Sequence, residues 1–238
     1  MIVLLETGGQ SGRETGALAD GEHHHLRVRR ARDGEPVELR DGAGLVGTGR
    51  LVRVGRDWRV EVEAARVIAR PPALTLAVGA GDRERFEWLV EKATELGVTC
   101  IVPIETERTH AVATRVRSEH LERLRRRALE AVKQCGAPWA PEVTPPERLT
   151  SFLSRRHEGQ RWVGDPEGGA ASAPPDGALT VVIGPEGGLT DPERRAASAA
   201  GFHPVRLGPH TLRFETAAIA AAALAMAGRL TALGGTDG

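Results

Sequence analysis

Beyond residue 73, short apolar runs take turns with segments of helical periodicity, and this alternation constrains the fold more than any other feature. Residues 74–78 form a mainly apolar segment of strand length. Residues 82–96 place Phe86, Leu89, Val90, Ala93 and Leu96 at helical spacing and stop at Gly97. A second strand is expected at 100–104. A second helix is expected at 118–135, with Leu121, Leu124, Ala128 and Val132 on one face and arginines on the other. A proline-rich connector at 136–146 precedes strands near Trp162-Val163, at 179–183 and at Val205-Arg206-Leu207. An alanine-rich helix closes the pattern from about Glu215. The expected fold class is α/β, a mainly parallel sheet covered by helices.

Residues 1–70 read differently. Val37-Glu38-Leu39-Arg40 alternates apolar and polar, a glycine-rich turn occupies 41–44, and strands are expected at 45–54 and 58–62. Period-two patterning with such turns predicts a small antiparallel barrel or sandwich. Arg70-Pro71-Pro72 breaks the chain, so the expected domains are 1–70 and 71–238. The longest apolar run, 217–227, is too short to cross a bilayer, and the first residues do not have the basic-then-apolar layout expected of a secretion signal. Cys100 and Cys135 lie too far apart for a zinc spacing, so no metal is expected and the cytoplasm is the expected compartment. The net charge is zero and only Lys92 and Lys133 are lysines; the thirty arginines that remain are weak evidence for nucleic acid unless they cluster.

The tetrapeptide Pro-Glu-Gly-Gly occurs twice, at 166–169 and 185–188. The first copy follows Trp162-Val163-Gly164-Asp165 and leads toward Ala170-Ala171-Ser172-Ala173-Pro174-Pro175, read as a flexible linker. The second follows a buried-type strand and precedes Thr190-Asp191-Pro192-Glu193, a helix start with a cap, a first-turn proline and a capping-box acid. Only the second copy has the strand–loop–helix setting in which glycines let a ligand approach backbone amides. A plain connecting loop is equally compatible with the residues. No Gly-Lys pair occurs, so this is not a phosphate loop of the GxxxxGK[ST] type.

A second constellation, residues 207–218, again follows a short strand and opens the last helix with Arg213 and Glu215. After Glu215, thirteen residues pass without charge before Arg229, so this helix needs a core or a second subunit around it. The Arg213–Glu215 pair is expected to be partly buried, either as a functional pair or as a structural ion pair and cap. Near the start, His23-His24-His25-Leu26-Arg27-Val28-Arg29-Arg30 is read as a polar strand. Alternating side chains would make its histidines a poor ligand set and leave Arg27, Arg29 and Arg30 for phosphate or for solvent. The arginine face at Arg123, Arg125, Arg126 and Arg127 is read as solvated more readily than as RNA-binding.

Four segments together resemble one family. Residues 91–98 (EKATELGV), 130–136 (EAVKQCG), 183–188 (IGPEGG) and 212–217 (LRFETA) are similar, in order and spacing, to the bacterial 16S ribosomal RNA uridine-N3 methyltransferases of the SPOUT class. His24-His25 through Arg40-Asp41-Gly42 resembles that family's N-terminal PUA-like barrel, so the likeness covers nearly the full length. The chain departs from the family pattern at Ala137, His210, Thr211 and Phe214, and Met1-Ile2-Val3-Leu4 lacks an arginine that many members carry there.

The resemblance implies a trefoil-knotted C-terminal domain that holds S-adenosylmethionine, and a homodimer with the site near the subunit junction. It implies that Gly184, Pro185, Glu186, Gly187, Gly188, Leu207, Gly208, Leu212 and Thr216 cradle the cofactor. Arg213 would stabilise charge developing on the uracil ring, and Glu215 would orient Arg213 or accept the N3 proton. RNA in the small ribosomal subunit is the implied partner, met through Arg27, Arg29, Arg30 and Arg40. Two other readings stand beside it: a SPOUT enzyme methylating ribose 2′-oxygens, and a non-catalytic RNA-binding protein with a degenerate knot. A plain nucleotide-binding enzyme is more distant.

Overall fold

A computed structural model describes residues 1–6, 15–19, 21–171 and 177–234. The linker expected at 170–175 therefore lies, beyond Ala171, outside the described residues. The chain forms two compact units, Met1–Arg70 with Leu129–Ala140, and Pro71–Ala128 with Pro141–Gly238.

The first unit is built on β1 (Ile2–Leu4), β2 (Thr15–Gly16), α1 (Glu22–Val28), β3 (Pro36–Arg40), β4 (Leu45–Val54) and β5 (Asp57–Val67). The strands run in the order β1-β3-β4-β5-β2. This sheet is open, not a closed barrel: its edge strands meet at one isolated bridge, Leu5 with Leu18, instead of along a ladder. Its core gathers Val3, Leu26, Leu39, Leu51 and Val60.

The histidine-rich stretch is a helix, which corrects the strand expected there. Glu22 and Leu26, four residues apart, are its two buried positions, and that is a helical spacing. A strand would have put Val28 on the same face as Leu26, yet Val28 is 70% exposed. His23 fixes the helix laterally, its Nδ1 accepting from the backbone N–H of Trp58 at 3.3 Å. Arg30 ends the helix at φ 56°, a left-handed conformation that favours glycine.

Residues 129–140 complete this unit. Lys133 donates to both carboxylate oxygens of buried Glu22, at 2.7 and 2.8 Å. The indole N–H of Trp139 donates to the Ile68 carbonyl at 3.1 Å. The family-like segment 130–136 thus contributes a structural ion pair.

The second unit contains β6 (Leu74–Gly79), α2 (Arg83–Glu95), β7 (Cys100–Glu105), α3 (Leu121–Cys135, its last turns in the first unit), β8 (Glu142–Val143), β9 (Glu147–Arg148) and α4 (Leu149–Leu153). It continues with β10 (Gln160–Ala170), β11 (Leu179–Ile183), α5 (Asp191–Ala199), β12 (His203–Arg206) and α6 (Phe214–Gly234). The sheet order is β12-β10-β11-β6-β7-β8, with β9 also on β7, and every pairing is parallel. The expected α/β class is therefore what the chain adopts.

Three details refine the expected pattern. The first Pro-Glu-Gly-Gly copy lies within β10, where Gly164 and Gly169 both pair with Val205 and the residues between them bulge out. The α3 arginines Arg123, Arg125, Arg126 and Arg127 are exposed, as the solvated reading expected, and two of them also meet acids: Arg123 meets Glu87 at 2.8 Å and Arg127 meets Glu91 at 2.7 Å. Lys92 and Arg127 hold the Glu91 carboxyl below the usual glutamate range. Helix α6 buries Ala218, Ala221, Ala222 and Ala225 but exposes Thr216, Ala223, Ala227 and Leu230. Its Arg229 is buried, donating to the carbonyls of Ala73 at 2.9 Å and Gly177 at 3.0 Å, just ahead of β6 and β11. Among the described residues no helix is long and apolar enough to cross a membrane, and no metal-ligating group occurs.

Candidate functional site

The carboxyl ends of β10, β11 and β12 open into a cleft of about 300 Å³. In parallel α/β sheets this edge is where ligands bind, because loops there carry unpaired backbone groups toward one crevice. Gly184, Pro185, Glu186, Gly187, Gly188, Leu207, Gly208 and Leu212 all line it, so the two sequence constellations converge on one space.

The glycine loop is tight for reasons its residues supply. The Gly188 N–H donates to the Pro185 carbonyl at 2.7 Å, and Gly188 holds φ 71°. A Cβ on Gly184 would lie 2.8 Å from the Leu189 nitrogen, so the loop folds back on itself only because that Cβ is absent. Thr190 then caps α5: its N–H donates to Glu193 Oε2 at 2.8 Å while its Oγ accepts from the Glu193 N–H at 3.5 Å. This is the capping box expected from residues 190–193.

Glu186 lines the cleft, but its Oε1 accepts the Asp82 N–H at 2.9 Å, which ties the loop to the start of α2. Asp82 is the α2 cap, with Oδ1 accepting from Glu84 and Arg85 N–H groups and Oδ2 from the Thr114 hydroxyl at 2.6 Å. The Thr114 hydroxyl, followed by those backbone donors, holds the Asp82 carboxyl below its ordinary value of 3.8 despite partial desolvation. A depressed folded-state value means the cap stabilises above about pH 3.8 and is lost as pH falls through the lower folded value. Asp82→Asn is accordingly expected to lower the unfolding midpoint at neutral pH, and thermal melts taken down to pH 2.5 should show the gap to the unmodified chain closing.

Several lining residues were not found from sequence. Asp165 and Pro166 reach the cleft through the β10 bulge, and Arg108, Arg194 and Arg206 supply cations. Arg108 donates to the Gly187 carbonyl. Arg194 donates to the Leu189 carbonyl at 2.9 Å and comes within 3.9 Å of Asp165. Gly164-Asp165 repeats the buried-strand-then-glycine signal of Ile183-Gly184, so Asp165 was findable; nothing distinguished the three arginines from the arginine-rich background.

Thr216, Arg213 and Glu215 do not line this cleft. Alternate residues of the segment face different spaces: Leu212, Phe214 and Ala217 line the first cleft, whereas Arg213, Glu215 and Thr216 line a second one with Asp82, Glu84, Arg85 and Trp88. The Arg213–Glu215 ion pair does not form among the described residues. Arg213 is exposed, and Glu215 is buried with Oε2 lacking a hydrogen-bond partner. The expected RNA contacts divide similarly. Arg27 and Arg30 are exposed and Arg29 pairs with Glu35, while Arg40 is largely buried, donating to the carbonyls of Gly136 at 2.9 Å and Leu39 at 2.8 Å. That engagement takes Arg40 out of the set of free cations.

A parallel sheet with a glycine-walled, cation-rimmed cleft at its carboxyl edge defines the class: the RNA methyltransferase domain family, whose profile matches residues 69–226. The ribosomal RNA small subunit methyltransferase E of Aquifex aeolicus is 31% identical over 222 residues, 88% of this chain and 93% of that protein. By these matches the chain belongs to the ribosomal RNA small subunit methyltransferase E family. Two solved structures are similar throughout. The Neisseria gonorrhoeae ribosomal RNA small subunit methyltransferase E, bound to S-adenosylmethionine, has a TM-score of 0.81 and 29% identity, covering 94% of this chain and 96% of that one. A Legionella pneumophila methyltransferase in complex with the same cofactor has a TM-score of 0.83 and 29% identity, covering 95% and 96%.

Proposed function

We propose that this chain transfers a methyl group from S-adenosylmethionine to N3 of a uridine in small-subunit ribosomal RNA. The observation that carries the reading is the convergence of both loop constellations on one cleft at the sheet's carboxyl edge. The residues there fit the cofactor's chemistry. Ile183, Leu189, Val205 and Leu207 suit a flat purine, and the backbone of 184–188 can approach closely for want of side chains. Asp165 suits hydroxyl or ammonium groups, and Arg108, Arg194 and Arg206 suit a carboxylate. The bound cofactor supplies a methyl group on a sulfonium, already reactive toward a nucleophilic nitrogen.

The chain's own part is then to hold and prepare the base. N3 of uridine carries a proton and is occupied in pairing, so the base must be unpaired before it reacts. Arg213 places a cation where negative charge spreads over the ring oxygens, and Glu215, which makes no ion pair with Arg213 among the described residues, accepts the N3 proton. In the balanced step the N3–carbon bond forms, the carbon–sulfur bond breaks with its electron pair left on sulfur, and the N3 proton leaves to a base.

The first unit is read as the PUA-like RNA-binding domain, with Arg27 and Arg30 as its outward cations. The second unit is read as the SPOUT domain with its C-terminal knot, and the exposed apolar side of α6 as the homodimer face. The test is transfer of labelled methyl from S-adenosylmethionine to unmethylated small-subunit RNA, followed by nucleoside analysis. Label in 3-methyluridine supports the reading; label in a 2′-O-methyl nucleoside moves the chain to the ribose-methylating enzymes. No cofactor binding at millimolar concentration would favour a non-catalytic RNA-binding role.

A further inference from the structure

We propose that the second cleft is the receptor for the nucleobase, and that Trp88 is the surface on which the ring stacks. The inference rests on the function proposed above and names its substrate subsite. Helix α2 buries Phe86, Leu89 and Val90, yet turns Trp88 outward at 45% exposure onto the cleft shared with Arg213 and Glu215. Of the tryptophans, Trp58 and Trp162 are buried and Trp139 is engaged by Ile68, so Trp88 alone offers its ring this way. An exposed indole is costly to keep in water and well suited to a base, because every base has a π-face.

The polar residues of the same cleft match the edge of uracil. That edge reads acceptor, donor, acceptor across O2, N3–H and O4. Arg213 and Arg85 supply donors, and between them in chemistry stands Glu215, 7% exposed, with one oxygen that has no donor among the described residues. A buried polar atom without a partner is unusual and calls for one. Cytosine, which presents an acceptor at N3 and a donor at N4, would leave the carboxylate facing a lone pair. Asp82 does not compete for this role. Asp82's oxygens are taken by Glu84, Arg85 and Thr114, and its N–H by Glu186. That last bond joins the floor of the base cleft directly to the glycine loop of the first cleft.

Trp88→Ala and Trp88→Phe are compared with the unmodified chain in two ways. First, tryptophan fluorescence is followed while hexauridylate or hexacytidylate is added, with no turnover required. Quenching by hexauridylate that exceeds quenching by hexacytidylate, and that disappears in Trp88→Phe, is the expected result. Second, kcat/KM for unmethylated small-subunit RNA is measured at saturating S-adenosylmethionine. Loss of one stack costs about 1–3 kcal/mol, so Trp88→Ala should fall roughly 5- to 150-fold while cofactor Kd holds. Trp88→Phe should recover most of that loss. The proposal is overturned if Trp88→Ala stays within twofold, if Trp88→Phe is as impaired as Trp88→Ala, or if Trp88→Ala changes only the oligomeric state. Failure of the unmodified chain to bind cofactor would defeat the proposed function and leave the fluorescence result to decide the stacking surface by itself.

Discussion

Arg213→Ala is expected to leave S-adenosylmethionine binding within a factor of three and to reduce methyl transfer about a hundred- to a thousandfold, the usual cost of removing one preorganised donor from a developing anion. The split follows from where the residue sits. Arg213 lines the second cleft and not the first, so its loss removes no wall from the cofactor space. It is exposed and makes no ion pair among the described residues, so its removal strands no buried charge. Calorimetric titration with cofactor and a single-turnover methyl transfer assay, run on one preparation, separate the two effects. Loss of both together would show that Arg213 is structural, and loss of neither would end its assignment to the chemistry. Arg213→Lys is an informative companion: it keeps the charge but not the planar fork, and partial activity would mark the cation itself as the larger contribution.

The converse result is expected at Gly184→Val, which should abolish cofactor binding while the fold survives. A Cβ there would stand 2.8 Å from the Leu189 nitrogen and 2.9 Å from the Gly188 carbonyl carbon. Both are backbone atoms, so no rotamer change relieves the clash and the 184–188 loop must open. Titration should show at least a hundredfold weaker binding, and circular dichroism should show the helix content unchanged. The loop is anchored at both ends, by β11 and by the Thr190–Glu193 box, so distortion stays within it. Undiminished binding by this variant would mean that the cofactor lies elsewhere.

Much of this architecture was legible from residue patterns. Phe86, Leu89, Val90 and Ala93 recur at helical spacing because one face of α2 is buried, and the pattern is simply that face. Residues 190–193 foretold a capped helix because their chemistry is local: both partners of the box lie within one turn. The failures have a different origin. Helix α1 buries only Glu22 and Leu26, too few positions to impose a period. The β10 bulge depends on Gly164 and Gly169 sharing Val205, a residue that arrives some forty positions later. Arg40 looked like a phosphate ligand because its acceptor, the Gly136 carbonyl, lies 96 residues away and leaves no trace near it. The division of Arg213, Glu215 and Thr216 from Leu212 and Phe214 was out of reach for a related reason. Neighbouring residues share a motif in sequence, and a helix start turns them toward different spaces.

The insertion of residues 129–140 into the first unit bears on how far that unit can act as a module. A fragment ending at residue 70 would carry the sheet and α1 but lack Lys133, and with it both hydrogen bonds that hold the Glu22 carboxylate. It would also lack Trp139, whose ring lies so close to Gly44 that a Cβ there would come within 2.5 Å of it. The unit is thus not a cassette that recombination could cut out or graft between enzymes at a single joint. During synthesis it stays unfinished until the ribosome has made α3 and the connector behind it, by which time the helix α2 and strands β6 and β7 are already outside. The two units alternate along the chain, and the first cannot be inherited as one continuous segment.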